Sequence, residues 1–378
     1  MDVREIALRR FHGQRLAGVR PADPVELVRY LGAVQAQEYA LAKWSVGQRT
    51  KVPDDAAVQR AIDEGRILRT HVLRPTWHFV AAEDILWMQA ATAHRVHAFN
   101  RMYYRRYGID DELAARANDV IVRSLAGGNF LTRKEVSEAL AREGIEATDI
   151  RLGLIIMRAE LEGLIANGPM RGKRHTYALV SERAPKAVRL SPEEALAELA
   201  RRYFAGRGPA TVKDFSWWSS LTLTEARRAL ELIGDELVSV EIAGRTYWLR
   251  PGPKPRAGRS PYAQVVQGLD EYTIGYSESR DVANPAGQSF GIVGENVVVH
   301  SIVLDGMVVG LWRRELNRKE IKAEVSLVGK VDRAQRTAIE EAFGRYGRFA
   351  GLPVVVDWPP SNGRREWHQT ANRGSVGG

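Results

Sequence analysis

The chain has 378 residues, enough for roughly two to four domains with more than one core, which excludes a single small module. Hydrophobic residues make up 44% and charged residues 27%, as in soluble globular proteins, and no apolar run reaches the ~18 residues of a membrane span. The complete absence of cysteine excludes thiolate zinc sites, iron–sulfur clusters and thiol nucleophiles. The absence of cysteine, together with an N-terminus that lacks the apolar core of a signal peptide, also indicates a protein of a bacterial-type cytoplasm.

The first part of the chain, residues 1–108, predicts helices followed by a β-hairpin. Asp23-Pro24 supplies an N-cap and a first-turn proline to a helix whose apolar positions continue to Val34. A turn at Arg74-Pro75 joins the two predicted strands. The further elements predicted here are helices over 2–16, 41–46, 56–64 and 82–107, and strands over 66–73 and 76–80. Helices followed by a hairpin are typical of a winged helix-turn-helix.

The same order recurs twice, over residues 109–190 and 191–250. Thr132 caps a helix in the second segment, and Ser191 with Glu194 forms a capping box that opens the third. The hairpin of the second segment carries basic residues around Gly172, as phosphate contact requires. They are Arg171, Lys173 and Arg174, with His175 beside them. We therefore predict three tandem winged helices.

After a Pro/Gly-rich linker the pattern changes to the alternation of β-strands. Two apolar strands flank Asp305-Gly306, a strong signal for a hairpin with a type I′ turn. Residues 260–360 are therefore predicted to form a β-rich, barrel-like C-terminal domain, which makes the fold class α+β. The polar, Gly-rich residues 361–378 are predicted to be disordered.

Two uncharged amides, Gln35 and Gln37, close the apolar helical run that begins at Asp23-Pro24. On a continuing helix, side chains two residues apart point to different faces, so these two converge only if the backbone is extended or turning. The alternative is a polar helix end whose glutamines contact water.

Several common catalytic motifs are missing. The sequence has no phosphate-binding loop, dinucleotide fingerprint, HExxH helix or Gly-x-Ser-x-Gly elbow. The helical pair His94 and His97 has a spacing that suits a metal, but no carboxylate partner stands out nearby. We predict neither a metal nor a cofactor. The net charge of +9 favours a polyanionic partner.

Five stretches of the chain together resemble the AlkZ/YcaQ family of bacterial winged-helix DNA glycosylases, in order and spacing, over nearly the whole chain. They are Gln35-Ala36-Gln37, Arg69 to His78, Gly208 to Trp218, Leu269 to Tyr276, and Val303 to Gly306 with Trp312 to Arg314. The resemblance implies tandem winged helices around a C-terminal β-rich domain, with a Gln-x-Gln or Gln-x-Asp motif acting in a channel that holds DNA.

Because the second motif position is Gln37 and not a carboxylate, the resemblance is to the AlkZ branch, which is associated with bulky N7-alkylpurines and interstrand crosslinks. It implies a monomeric, nucleoid-associated enzyme whose partner is double-stranded DNA carrying alkylated purines. Glutamine is not a strong base, but it can hold and orient a water. An N7-alkylated purine is cationic and leaves as a neutral base, so it needs little acid catalysis. We therefore predict Gln35 and Gln37 as catalytic residues of a monofunctional glycosylase.

Further residues are predicted to line the site or bind DNA. They are His71, Arg74, Thr76 and His78 on the first hairpin, Arg171, Lys173 and Arg174 on the second, and Arg313 and Arg314 after the C-terminal hairpin. Alternation places Thr76 and His78 on one face and Trp77 on the other; the alternative is that Trp77 is core and His78 a hydrogen-bonded spacer. Asp270 and Glu271 either form an anionic side of the channel or pair with arginines, and we favour pairing.

Two other functions fit part of the pattern. A non-enzymatic winged-helix DNA-binding transcriptional regulator explains the charge and the repetition, but it gives the glutamines no role. A protein-interaction scaffold predicts no salt-dependent affinity for DNA.

Overall fold

The computed structural model describes residues 1–255, 260–289, 291–293 and 297–359. The predicted disordered tail, 361–378, lies outside the described residues. Stretches of helices and stretches of strands follow one another along the chain. The fold class is α+β, as predicted. No helix in the described ranges combines the length and the apolarity needed to span a membrane.

The first segment folds as helices around a three-stranded antiparallel sheet of order β1-β3-β2. Its elements are α1 (Val3–Gly13), α2 (Pro24–Leu31), β1 (Ala33–Gln35), α3 (Tyr39–Gly47), α4 (Asp55–Asp63), β2 (Ile67–Val72), β3 (Arg74–Ala81) and α5 (Ile85–Arg106). Helix α2 ends at Leu31, not at Val34, because Gly32 adopts a φ of +77° that a right-handed helix does not permit. The predicted hairpin turn is also shifted: Leu73, with φ +63°, makes it, and Arg74-Pro75 already belong to β3.

The second segment repeats this order with a sheet β4-β6-β5. It contains α6 (Asp111–Leu125), β4 (Leu131–Thr132), α7 (Arg133–Arg142), α8 (Asp149–Leu161), β5 (Ile165–Asn167), β6 (Thr176–Leu179) and α9 (Val180–Arg183). Thr132 and Glu135 form a reciprocal capping box that starts α7 at Arg133.

The third segment consists of α10 (Pro192–Arg207), α11 (Val212–Ser219), α12 (Leu223–Leu232) and the hairpin β7 (Val238–Ile242) and β8 (Arg245–Leu249). The predicted capping box at Ser191 and Glu194 is present. All three segments thus pass from helices into an antiparallel hairpin; their identity as winged helices stays a prediction.

The C-terminal part is a six-stranded sheet packed against one long helix. It comprises β9 (Ala263–Val266), α13 (Glu271–Ile274), β10 (Gly291–Val293), β11 (Val297–Leu304), β12 (Met307–Leu316), β13 (Ile321–Leu327), α14 (Arg333–Ala350) and β14 (Val354–Asp357). The strands are antiparallel except for the parallel pair β13 and β14. Asp305 and Gly306 both have positive φ, +48° and +87°, as a type I′ turn requires.

The apolar cores do not follow the predicted boundaries at 108, 190 and 250. One core combines residues from 25–79 with residues from 263–349, so the first segment and the C-terminal sheet share it. A second joins the other face of the first sheet to the third segment, and a third lies almost entirely in the second segment. The domain boundaries themselves stay predictions.

Candidate active site

The two motif glutamines lie outside any helix, one at the end of a strand and one in a bend. Gln35 is the last residue of β1, and α3 begins only at Tyr39. Gln35 pairs with His78 of β3, and the N–H of Ala36 donates to the carbonyl of Trp77 at 2.7 Å, which continues the pairing by one residue. The chain is thus extended at Gln35 and bends at Gln37, which is the non-helical backbone that convergence requires. Gln35 is 6% exposed, and Gln37 is exposed.

A buried ion pair holds the backbone that carries Gln35. The N–H of Gln35 donates to Glu271 Oε1 at 3.0 Å. The other oxygen of Glu271 lies 2.5 Å from Nη2 of Arg207, and both side chains are 0% exposed. Arg207 also donates to the carbonyls of Leu31 and Ala33, at 2.7 and 2.9 Å. One ion pair therefore binds both the end of α2 and the strand that follows it.

Glu271 is ionised despite its burial. Burial raises the pKa of its carboxyl, but the guanidinium groups of Arg207 and Arg74 more than compensate, so the pKa lies below its ordinary value. The indole N–H of Trp218 donates to the same carboxylate at 2.9 Å. Gln35 is therefore held by a negative charge whose protonation does not change near neutral pH.

The neighbouring carboxylate, Asp270, forms a separate buried pair. Its Oδ1 lies 2.5 Å from Arg49 Nη2, with both side chains 0% exposed. Ser45 Oγ donates to its Oδ2 at 2.7 Å. Asp270 and Glu271 thus both pair with arginines, the alternative that the sequence favoured.

Three predicted residues share the sheet face of Gln35. Arg74 Nη2 lies 3.4 Å from Gln35 Oε1 and 3.4 Å from His78 Nε2. Burial, and next the charge of Arg74, lower the pKa of the His78 imidazole well below its usual value, so this side chain is neutral. Thr76 lies on the same face of β3, and its buried hydroxyl has no hydrogen-bond partner among the described residues. Gln35 is therefore flanked by one cation and one neutral imidazole.

His71 lies on the opposite face of the sheet. It is 3% exposed, its Nδ1 contacts the Glu160 carboxylate of α8, and its ring lies 4.6 Å from that of Trp77. Trp77 also stacks on the Arg69 guanidinium at 4.3 Å, and Arg69 Nε donates to the carbonyl of Ala36 at 3.0 Å. Trp77 packs partly against the core, in agreement with the alternative for that residue. A role of His71 in binding DNA stays a prediction.

The second predicted group of cations lies at an exposed hairpin tip. Arg171, Lys173 and Arg174 are all exposed, although Arg171 also pairs with Glu135 at 2.7 Å. The adjacent His175 packs its ring against that of Tyr39, 4.7 Å away, at the start of α3. This tip therefore lies next to the helix that follows the two glutamines.

The remaining predicted cations belong to the C-terminal sheet. Arg313 and Arg314 lie within β12 and do not follow it: the strand continues to Leu316 and pairs with β13 from Gly310 onward. Arg314 Nη1 donates to the Tyr346 hydroxyl at 2.8 Å. Their role as phosphate contacts stays a prediction.

The histidine pair on α5 does not form a joint site. His94 Nε2 contacts Glu225 at 2.7 Å, whereas His97 Nδ1 contacts the Tyr104 hydroxyl at 3.1 Å. Within the ranges that the structure describes, no group of three or more His, Cys, Asp or Glu side chains is placed to hold a metal.

Comparison with known proteins gives consistent matches. A family model described as "DNA glycosylase AlkZ-like" matches residues 28–349, which include all the candidate site residues. The interstrand DNA cross-link repair glycosylase of Streptomyces sahachiroi is 26% identical over 351 residues, covering 88% of this chain and 92% of that protein. The solved structure of the Streptomyces sahachiroi DNA glycosylase AlkZ superposes with a TM-score of 0.78 at 22% identity, over 94% of this chain and 100% of that one, which shows a common fold. The chain belongs to the AlkZ-like DNA glycosylase family and is a DNA glycosylase.

Proposed function

We propose that this glycosylase releases cationic N7-alkylpurines from double-stranded DNA with a water that Gln35 and Gln37 orient. The observation that supports the proposal is the non-helical backbone at the motif: Gln35 ends β1 and Gln37 lies in the bend before α3, so a helix does not hold the two amides on different faces. An amide oxygen accepts a hydrogen bond from water and an amide NH₂ donates one, so two amides can fix both the position and the direction of attack.

The surroundings of Gln35 suit a reaction that needs no general base. His78 is held neutral by burial and by Arg74, and Glu271 is engaged by Arg207, Trp218 and the backbone of Gln35. Neither side chain is available to remove a proton from water. A substrate with a neutral leaving base requires little more than a positioned water and fixed charges around the sugar. This favours cationic lesions over neutral ones such as uracil.

A monofunctional reaction is also supported. Forming a Schiff base with the sugar needs a lysine with a free amine. Lys43 is the lysine nearest to the motif in sequence, and its ammonium pairs with Asp55 at 2.9 Å. We propose that the product is an abasic site and that no lyase step follows.

The substrates include bulky adducts and crosslinks in our proposal, since the Streptomyces relative is a cross-link repair glycosylase. The three helix-hairpin segments, interpreted as tandem winged helices, would hold the duplex, with the tip cations Arg171, Lys173 and Arg174 on its phosphates. A purely regulatory, non-enzymatic role is not supported, because the family is one of enzymes.

The test is a single-turnover assay on duplex DNA that contains one N7-methylguanine, with abasic product detected by alkaline strand cleavage. Methionine has nearly the length and volume of glutamine but cannot bind water in the same way. Gln35→Met with Gln37→Met is expected to reduce excision at least ~10²-fold, while the affinity for DNA stays within about twofold. Gln59→Met on α4 is the matched control. Undiminished excision by the double variant would refute the mechanism.

A further test addresses the lesion class. Wild-type protein is expected to release N7-methylguanine and to unlink a mustard-crosslinked duplex on a denaturing gel, but to leave uracil in place. Comparable release of uracil would show that the leaving base is assisted by a group outside the proposed mechanism.

A further inference from the structure

Helix α5 carries an apolar surface that no other part of the described chain covers. Phe99, Met102 and Tyr103 are 66%, 67% and 38% exposed. Their spacing of three and four residues places them on one face of the helix. Large side chains exposed together in this way mark a binding surface more often than isolated exposed residues do.

The same face is positively charged. Arg95 precedes Phe99 by four residues and Arg106 follows Met102 by four, so both lie in line with the apolar group, and Arg105 lies beside it. From Ile85 to Arg106 the helix contains no aspartate or glutamate. Two carboxylates of the neighbouring segment, Asp111 and Glu162, both pair with Arg158, and Glu225 of α12 contacts His94 of α5. Charge and apolar surface together fit an anionic partner that also offers flat apolar faces.

This face adjoins the candidate active site. Phe99 and Arg95 line a cavity of about 310 Å³ together with Leu73 and Pro75 at the tip of the first hairpin. Arg74, between these two hairpin residues, contacts Gln35. DNA lying along α5 would therefore pass the hairpin that carries the site.

We propose that Arg95, Phe99, Met102, Tyr103 and Arg106, here called the α5 ridge, form a DNA-binding surface in which Phe99 stacks on a base next to the lesion. Arg105 and Arg106, which both follow the apolar group along the helix, bind phosphates. The proposal rests on the family's action on DNA and not on the glutamine mechanism, since it concerns binding. Stacking on an aromatic side chain does not depend on the identity of the base.

The experiment measures the affinity of the full-length protein for two short duplexes, one undamaged and one with a tetrahydrofuran abasic-site analogue that exposes unstacked base faces. Phe99→Ala is expected to weaken binding of the analogue duplex about five- to hundredfold and to weaken binding of undamaged DNA much less. Val52→Ala, at a residue 74% exposed, is the matched control.

The contribution of the arginines to DNA binding is measured separately, by the salt dependence of the affinity. The double variant Arg105→Ala with Arg106→Ala is expected to lower the slope of log Kd against log salt concentration by about 1 to 2, since each phosphate contact contributes about 0.9. Arg333→Ala with Arg348→Ala removes the same charge at exposed positions on α14, outside the three helix-hairpin segments. Unchanged binding by Phe99→Ala, or an equal change of slope in the control pair, overturns the proposal. Because neither measurement requires excision, failure of the glutamine mechanism would be recognised separately.

Discussion

The buried pair of Glu271 and Arg207 allows a direct test of how the site is positioned. Glu271→Gln keeps the shape of the side chain but replaces one oxygen with an NH₂ group. The carboxylate accepts bonds from the Gln35 N–H at 3.0 Å, from Arg207 Nε and Nη2 at 3.1 and 2.5 Å, and from Trp218 Nε1 at 2.9 Å. An amide NH₂ must therefore face at least one of these donors, and Arg207 loses its counter-charge.

The expected magnitude follows from the burial of both partners. Removing one member of a fully buried ion pair leaves an uncompensated charge and costs about 3–5 kcal/mol of the free energy of unfolding. In this variant the Gln35 N–H loses its carboxylate acceptor, or the backbone there becomes less rigid. A displacement of about 1 Å at a catalytic group can reduce the rate ~10²-fold. We expect both effects in Glu271→Gln.

Asp270→Asn is the matched control. Asp270 is as buried as Glu271 and pairs with Arg49, but it contacts α3 and not the backbone of Gln35. Urea unfolding followed by circular dichroism is expected to show similar destabilisation in both variants. Single-turnover excision, measured where both are folded, is expected to fall strongly only in Glu271→Gln. Equal excision rates in the two variants would refute the positioning role.

Three further predictions concern stability and the sheet face of the site. Burial, with a smaller effect of a nearby arginine, lowers the pKa of His300 from 6.5 to about 3. Between pH 3 and 6.5 only the unfolded chain protonates this imidazole. The free energy of unfolding therefore falls as the pH drops below 6.5. At 1.36 kcal/mol per unit the loss is about 3 kcal/mol by pH 4, and unfolding of His300→Gln is expected to depend less on pH. Gly306→Ala is expected to lower the thermal midpoint of unfolding more than Gly244→Ala. Both glycines have positive φ, but a Cβ at Gly306 would lie 2.9 Å from the Ala7 carbonyl oxygen, whereas Gly244 faces open space. Equal midpoints in the two variants would contradict this. Thr76→Val removes a buried hydroxyl without a hydrogen-bond partner among the described residues, so it should not destabilise the fold. A loss of excision in this variant would place the hydroxyl in the site. Unchanged excision would exclude it from the site.

The elements that depend on local chemistry were predictable from the sequence. The capping boxes at Thr132 and Ser191 and the Asp305-Gly306 turn are encoded within a few residues, and all three are present. The end of α2 was placed three residues too late, because residues 33–35 become a strand only through pairing with β3 more than forty positions away. Apolar residues at helical spacing do not reveal such pairing.

In the candidate site, too, features encoded locally are predictable, whereas contacts between distant residues are not. The sequence singles out the two glutamines by their type and spacing, and their catalytic role stays a prediction. Arg207, which fixes their strand, gives no signal, because a buried arginine cannot be told from an exposed one until its partner is known. Glu271 is recognisable only as one of two carboxylates in a motif, and its contact with Gln35 links positions 236 residues apart.

The core shared by the two ends of the chain has a consequence for biosynthesis. Trp44 is fully buried against Tyr346 and Phe349, at 5.3 and 5.2 Å between ring centroids. At roughly 5–20 residues per second, a ribosome delivers these partners about 15 to 60 s after the tryptophan. Until then the nascent N-terminal segment keeps an open apolar surface, and Gln35 lacks the carboxylate that anchors it. Fragments from interrupted translation that end before residue 271 therefore lack the carboxylate that holds the backbone of Gln35.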